Sequence, residues 1–95
     1  MKHFVLAGNE LSPLQRNTIT KYLSDTGYGY WHWFQDFWLV TSANNYVTSV
    51  NLRESLKLVV PGTHFMVFAV EPSPDWAGVG NETWAEWIHQ NWSRQ

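Results

Sequence analysis

Apolar residues fall along this chain in short blocks separated by turn formers, and each block has its own period. Met1 to Ala7 is short and largely apolar, is closed by Gly8-Asn9, and predicts a first strand. Ser12-Pro13 predicts a helix start: Ser caps the helix, and Pro takes the first position, where no amide hydrogen bond is lost. That helix is expected to run to about Ser24, with Leu14, Ile19, Tyr22 and Leu23 as its apolar stripe and Gly27 at its C-terminal cap. From Tyr28 to Thr41, aromatic and β-branched residues surround Gln35-Asp36, which predicts two strands joined by a tight turn. Ser42 to Tyr46 is a polar connection. Leu52, Leu56 and Val59 then recur at helical spacing from about Ser49 to Val59, until Pro61-Gly62 stops the pattern. His64 to Glu71 is apolar on both faces, which predicts a central or doubly covered strand, and Pro72-Ser73-Pro74 ends it. Asn81 has the position of an N-cap, with Glu82 and Glu86 near the positive helix end. Trp84, Trp87, Ile88 and Trp92 follow as the stripe of a third, amphipathic helix.

The order is β-α-β-β-α-β-α, with no internal repeat and no linker, so residues 1–95 form one domain. The fold class is α+β. Six elements in this order predict a ferredoxin-like βαββαβ antiparallel sheet with two helices on one face, followed by a C-terminal amphipathic helix. Two crossovers put the first and third strands in the centre and the second and fourth at the edges.

The hairpin is aromatic on both sides. Strand alternation puts Tyr28, Tyr30, His32 and Phe34 on one face and Trp31 and Trp33 on the other. A sheet with one face in water would read apolar then polar. A partner subunit, a ligand or another part of the chain must therefore cover the second face. Trp84, Trp87 and Trp92 are suited to cover part of it and a symmetry mate the rest, which predicts a homodimer.

Composition narrows the chemistry. Aromatic residues make up 17% of the chain and charged residues only 15%, and a sparsely charged small domain leans towards self-association. A formal charge of −2, with six scattered Lys and Arg, argues against strong electrostatic binding of nucleic acid. Without cysteine there is no disulfide, thiolate metal site or cysteine nucleophile. Neither a signal-peptide pattern nor an apolar run of about 20 residues is found. A soluble, cytoplasmic protein that does not contact membrane is expected.

The four histidines, His3, His32, His64 and His89, lie on separate elements without metal-ligand spacing, so no metal site is assigned. There is no Gly-x-Ser-x-Gly elbow, and Gly78-Val79-Gly80 lacks both the third glycine and the preceding strand of a dinucleotide loop. Tyr30, Trp31, His32, Trp33, Phe34 and Trp38 are candidate binding or interface residues. Sheet aromatics can stack bases, but residues 28–41 contain no Lys or Arg, which favours core or dimer packing.

The hairpin Trp31-His32-Trp33-Phe34-Gln35-Asp36-Phe37-Trp38-Leu39-Val40 resembles the tryptophan-histidine hairpin of SinR-like proteins, small relatives of the CRISPR adaptation protein Cas-two. Asn51 to Lys57 is similar to that family's Leu-Arg-acid-x-Leu run. Trp76-Ala77-Gly78 followed by Trp87-Ile88 is similar to its Trp-Ala-Gly segment and C-terminal aromatic helix, which adds Trp76 to the interface candidates. The resemblance spans residues 28 to 90. It implies a ferredoxin-like fold and dimerisation. In some relatives it also implies a divalent-metal nuclease, in which an Asp ending the first strand faces its symmetry mate and a metal activates water. Asn9 stands at that position here, a weaker ligand for a hard cation, with Glu10 beside it. Glu10 would serve only if the strand bulges or has already ended.

Three functions are therefore expected to compete. The first is a non-catalytic, homodimeric interaction or scaffolding module without a cofactor, whose partner is a protein or nucleic acid and whose context is mobile-element defence. The second is an endonuclease using Mg²⁺ or Mn²⁺, with Asn9 and Glu10 at the dimer axis. The third is a binder of single-stranded nucleic acid or nucleotide through Tyr30, Trp31 and Trp33.

Overall fold

The computed structural model describes residues 1–71, 77–80 and 82–92. Its elements are β1 (Lys2–Asn9), α1 (Pro13–Asp25), β2 (Gly29–Phe34), β3 (Phe37–Ser42), α2 (Ser49–Val59), β4 (His64–Val70) and α3 (Glu82–Asn91). The four strands form one sheet in the order β2-β3-β1-β4, and every neighbouring pair is antiparallel. This is a small α+β architecture compatible with a ferredoxin-like arrangement. The hairpin turns at Gln35-Asp36, where the reading of the chain places it. Pro72 to Trp76 and Asn81, including the expected strand break, the Trp76 interface and the Asn81 cap, lie outside the described residues.

Both early helices start on reciprocal caps. Ser12 Oγ accepts the Gln15 amide hydrogen bond at 3.1 Å while Gln15 Oε1 accepts the Ser12 amide at 2.8 Å. Thr48 and Asn51 repeat the exchange at α2, with both bonds at 3.1 Å. Each pair satisfies two amides that the first helical turn leaves without partners. Thr48→Ala is expected to cost about 1 kcal/mol of stability, read as a lower urea midpoint at unchanged slope. An unchanged midpoint would remove the cap from the account. Gly27, just past α1, has φ +82°, a left-handed conformation that glycine adopts without a Cβ penalty.

One face of the sheet carries α1 and α2. Phe4, Leu6, Trp38 and Val40 from the central strands meet Ile19 and Leu23 of α1 and Leu52 and Leu56 of α2, all fully buried. Leu14, expected in the α1 stripe, is 75% exposed. Its place is taken by Leu11, which precedes the helix and folds back beside Gly8, where an added Cβ would lie 2.5 Å from Leu11 Cδ1.

The opposite face answers the two-sided hairpin. Trp84 and Ile88 of α3 pack with Leu39, and Val5, Trp31, Trp33 and Phe37 gather around them. Trp33 stacks on Trp84 at 4.8 Å, and Trp31 lies 6.4 Å from Trp87. The end of α3 is pinned by buried His3, whose Nε2–H donates to the Asn91 carbonyl at 3.0 Å and whose ring meets Trp92 edge-on at 5.1 Å. Within the chain, the cover over the tryptophans is therefore α3.

β4 is an edge strand, as the two crossovers require, but the cover that its continuous apolar sequence predicts on both sides is found on one. Phe65 and Val67 pack on the helix core, whereas Met66 is 59% and Phe68 50% exposed.

Candidate functional site

Asn9 and Glu10 stand where β1 runs out. Asn9 is the last residue of the strand and pairs across the sheet with His64, so the two side chains share a face. Glu10 has φ 53°, a left-handed conformation uncommon outside glycine, which turns the chain from the strand towards α1. The condition for Glu10 to join Asn9 is therefore met: the strand has ended. Asn9, Glu10, Gln15, Thr63 and His64 line an open polar cleft of about 210 Å³. Among the described residues of one chain it offers one carboxylate, one imidazole and neutral amide and hydroxyl oxygens. Among the described residues no group of three or more His, Cys, Asp or Glu could hold a metal ion. A hard divalent cation takes several charged or carbonyl oxygens, and Mg²⁺ in protein sites relies on carboxylates.

Asp36, at the hairpin turn, lies close to this corner and has a structural task. Its Oδ2 accepts from the Leu11 amide at 3.2 Å, its Oδ1 from Arg16 Nη1 at 3.2 Å, and its backbone carbonyl from the Gly8 amide at 2.7 Å. Arg16 Nη1 also donates to the Leu11 carbonyl at 3.0 Å. The half-buried pair ties the turn to the β1–α1 connection that shapes the cleft. Asp36→Ala leaves the Leu11 amide and Arg16 short of an acceptor and is expected to lose about 1–3 kcal/mol, while Asp36→Asn loses less. Equal melting temperatures for Asp36→Ala and the parent would show that the turn holds without it.

The aromatic candidates separate into three settings. Tyr30 packs with the α1/α2 core and Trp31 and Trp33 lie under α3, so these three do not form one stacking platform. Trp38 is fully buried and donates from Nε1 to Thr20 Oγ1 at 3.1 Å; it is a core residue, not a surface for a partner. His32 stacks on Trp38 at 4.3 Å and donates from Nε2 to the Gln35 carbonyl at 2.8 Å, which fixes the turn. Phe34 is mostly exposed and stacks on Trp33 at 4.9 Å.

Beside α3 lies an apolar shelf that no sequence motif marks. Cross-strand pairing places Phe68 opposite Val5 and Met66 opposite Ala7, on the sheet face that α3 shares. α3 lies over the β2 side of that face, leaving Met66 and Phe68 in water. Alternation within His64-Phe-Met-Val-Phe-Ala-Val would have separated Met66 and Phe68 from Phe65 and Val67, had β4 been read as half covered.

The fold and these surfaces define a small α+β protein with a four-stranded antiparallel sheet and a polar cleft at one strand end. No protein-family model matches the chain, and comparisons with curated proteins and with solved structures find no match. No helix among the described residues is long and apolar enough to cross a membrane.

Proposed function

We propose that this protein is a non-catalytic interaction module: a ferredoxin-like βαββαβ core of the SinR-like, Cas-two-related type, extended by a third helix and acting as a homodimer that scaffolds protein or nucleic acid. The observation that carries this reading is the shelf of exposed Met66 and Phe68 on the sheet face that α3 covers only in part. Side chains of that size stay in water at a cost that a partner would relieve. The neutral Asn9 at the strand end, with Glu10 as the one carboxylate lining the cleft among the described residues, supports the non-catalytic part.

The second reading, a metal-dependent endonuclease, is favoured by the grouping of Asn9, Glu10 and His64 in one cleft, which a symmetry mate would double. Incubation with single-stranded RNA and duplex DNA in Mn²⁺ separates the two. The interaction module leaves both intact. Cleavage that falls at least about tenfold in Glu10→Ala would establish the nuclease instead, a loss on the scale of removing a metal-site group. The nucleotide-binding reading is weakened by the placement of Trp31 and Trp33 beneath α3.

A further inference from the structure

Edge strands are usually guarded by charge, proline, shortness or a bulge, because their unpaired amides and carbonyls invite another strand. The two edges of this sheet differ. β2 has a register irregularity between His32 and Phe34, and its Trp31 and Trp33 are capped by α3. β4 has none of these guards. Its seven residues contain no Lys, Arg, Asp, Glu or Pro, and its register with β1 is unbroken from His3↔Val70 to Asn9↔His64. No strand lies on its outer edge among the described residues.

We propose that the outer edge of β4 pairs antiparallel with β4 of a second copy, about a two-fold axis at Val67, to give a continuous eight-stranded sheet. This deepens the interaction-module reading by naming its partner and its seam. The sequence is self-complementary in that register. Met66 falls opposite the partner's Phe68 and Phe68 opposite the partner's Met66, so each exposed side chain meets another exposed apolar one. Shifting the axis to Met66 or Phe68 would keep faces matched but break up both of these pairs. Thioether and ring pack favourably, and directly opposed side chains are the unit of sheet stabilisation. On the other face Phe65 falls opposite the partner's Ala69, large against small. The paired shelves then lie in one trough between the two α3 helices.

The test is sedimentation velocity on the full chain up to about 1 mM, where even a weak pair is half associated. A dimer is expected for the parent and for Leu14→Lys, which changes an exposed leucine on α1, the helix over the opposite edge. Met66→Lys and Phe68→Lys are expected to weaken association at least about tenfold each with unchanged circular dichroism, since lysine guards a strand edge. The chain has no cysteine, so the register can be tested directly. An equimolar mixture of Met66→Cys and Phe68→Cys should oxidise to the mixed disulfide faster than either variant alone to its own, with intact mass telling the products apart. A monomeric parent at about 1 mM, or a dimer unaffected by both lysines, would overturn the seam. So would preferential self-linkage of the single cysteine variants. Cleavage of nucleic acid in Mn²⁺ overturns only the non-catalytic reading, a dimer that ignores both lysines overturns only the seam, and a monomer overturns the seam together with the homodimer.

Discussion

Trp38→Ala is expected to lower the unfolding free energy by about 3–5 kcal/mol, the usual range for truncating a buried aromatic. Trp38 sits on β3, fully buried among Phe4, Leu6 and Leu23, with His32 stacked on its ring at 4.3 Å and nearly parallel. Truncation removes the largest fully buried side chain among the described residues, strands the Thr20 hydroxyl that accepts from Nε1, and leaves His32 without its platform. A domain of 95 residues holds about 5–14 kcal/mol in total, so this one truncation removes at least about a fifth of the stability. Urea titration followed by circular dichroism reads the effect. Trp38→Phe, which keeps the packing but not the hydrogen bond, should fall between. A loss below about 1 kcal/mol in Trp38→Ala would mean that the core closes over the gap or that the ring is not where the structure has it.

Trp84→Ala should be the next most damaging change, again about 3–5 kcal/mol, but with a local signature. Trp84 stacks on Trp33, and the chain before α3 passes so close to it that glycine is required. A Cβ on Gly78 would lie 2.6 Å from Trp84 Cη2, and one on Gly80 would overlap Nε1. Without the indole, α3 loses its anchor while the α1/α2 core on the other face keeps its contacts. Exposed Trp31 and Trp33 should then shift fluorescence emission to the red, and α3 amides should exchange faster than those of β1 and β3. Gly80→Ala should give the same two signals by forcing α3 away without removing apolar surface. Emission and exchange unchanged in both variants would show that α3 is held by other contacts. The pair also assigns Gly78-Val79-Gly80 a purpose: the glycines make room for a tryptophan.

Much of this fold is legible in the chain because its signals are local. Ser12-Pro13, Gly27 and Pro61-Gly62 punctuate the helices through their own backbone chemistry, and the hairpin turn falls between two aromatic runs. Leu14 and Leu11 show where local reasoning stops. A helical period admits Leu14, but a helix face points to the core only where the rest of the protein puts the core, and the loop residue Leu11 fills the space beside Gly8. The Thr48–Asn51 cap was readable in principle, but it uses Asn where Glu or Gln is the commoner partner.

The candidate sites divide in the same way. Gly8-Asn9 predicts a strand that closes after Ala7, and pairing with β4 carries it two residues further, to Asn9. That Glu10 adopts a left-handed turn and lines one cleft with His64, 54 positions away in sequence by their numbers, follows only from the pairing of β1 with β4. Asp36 reads as a turn residue in sequence, and its bonds to Gly8, Leu11 and Arg16 exist only because the turn folds onto the start of α1.

By itself, the sequence determined the elements, their order, the central and edge strands, and the need to cover a two-faced aromatic hairpin. These follow from side-chain period and backbone chemistry acting within about ten residues. Tertiary structure alone decided which cover was used: α3 takes the tryptophans of β2, while β4, equally apolar in sequence, is left with Met66 and Phe68 in water. Burial is a property of what lies opposite a residue, and one ten-residue helix is too narrow to span four strands spaced roughly 4.8 Å apart.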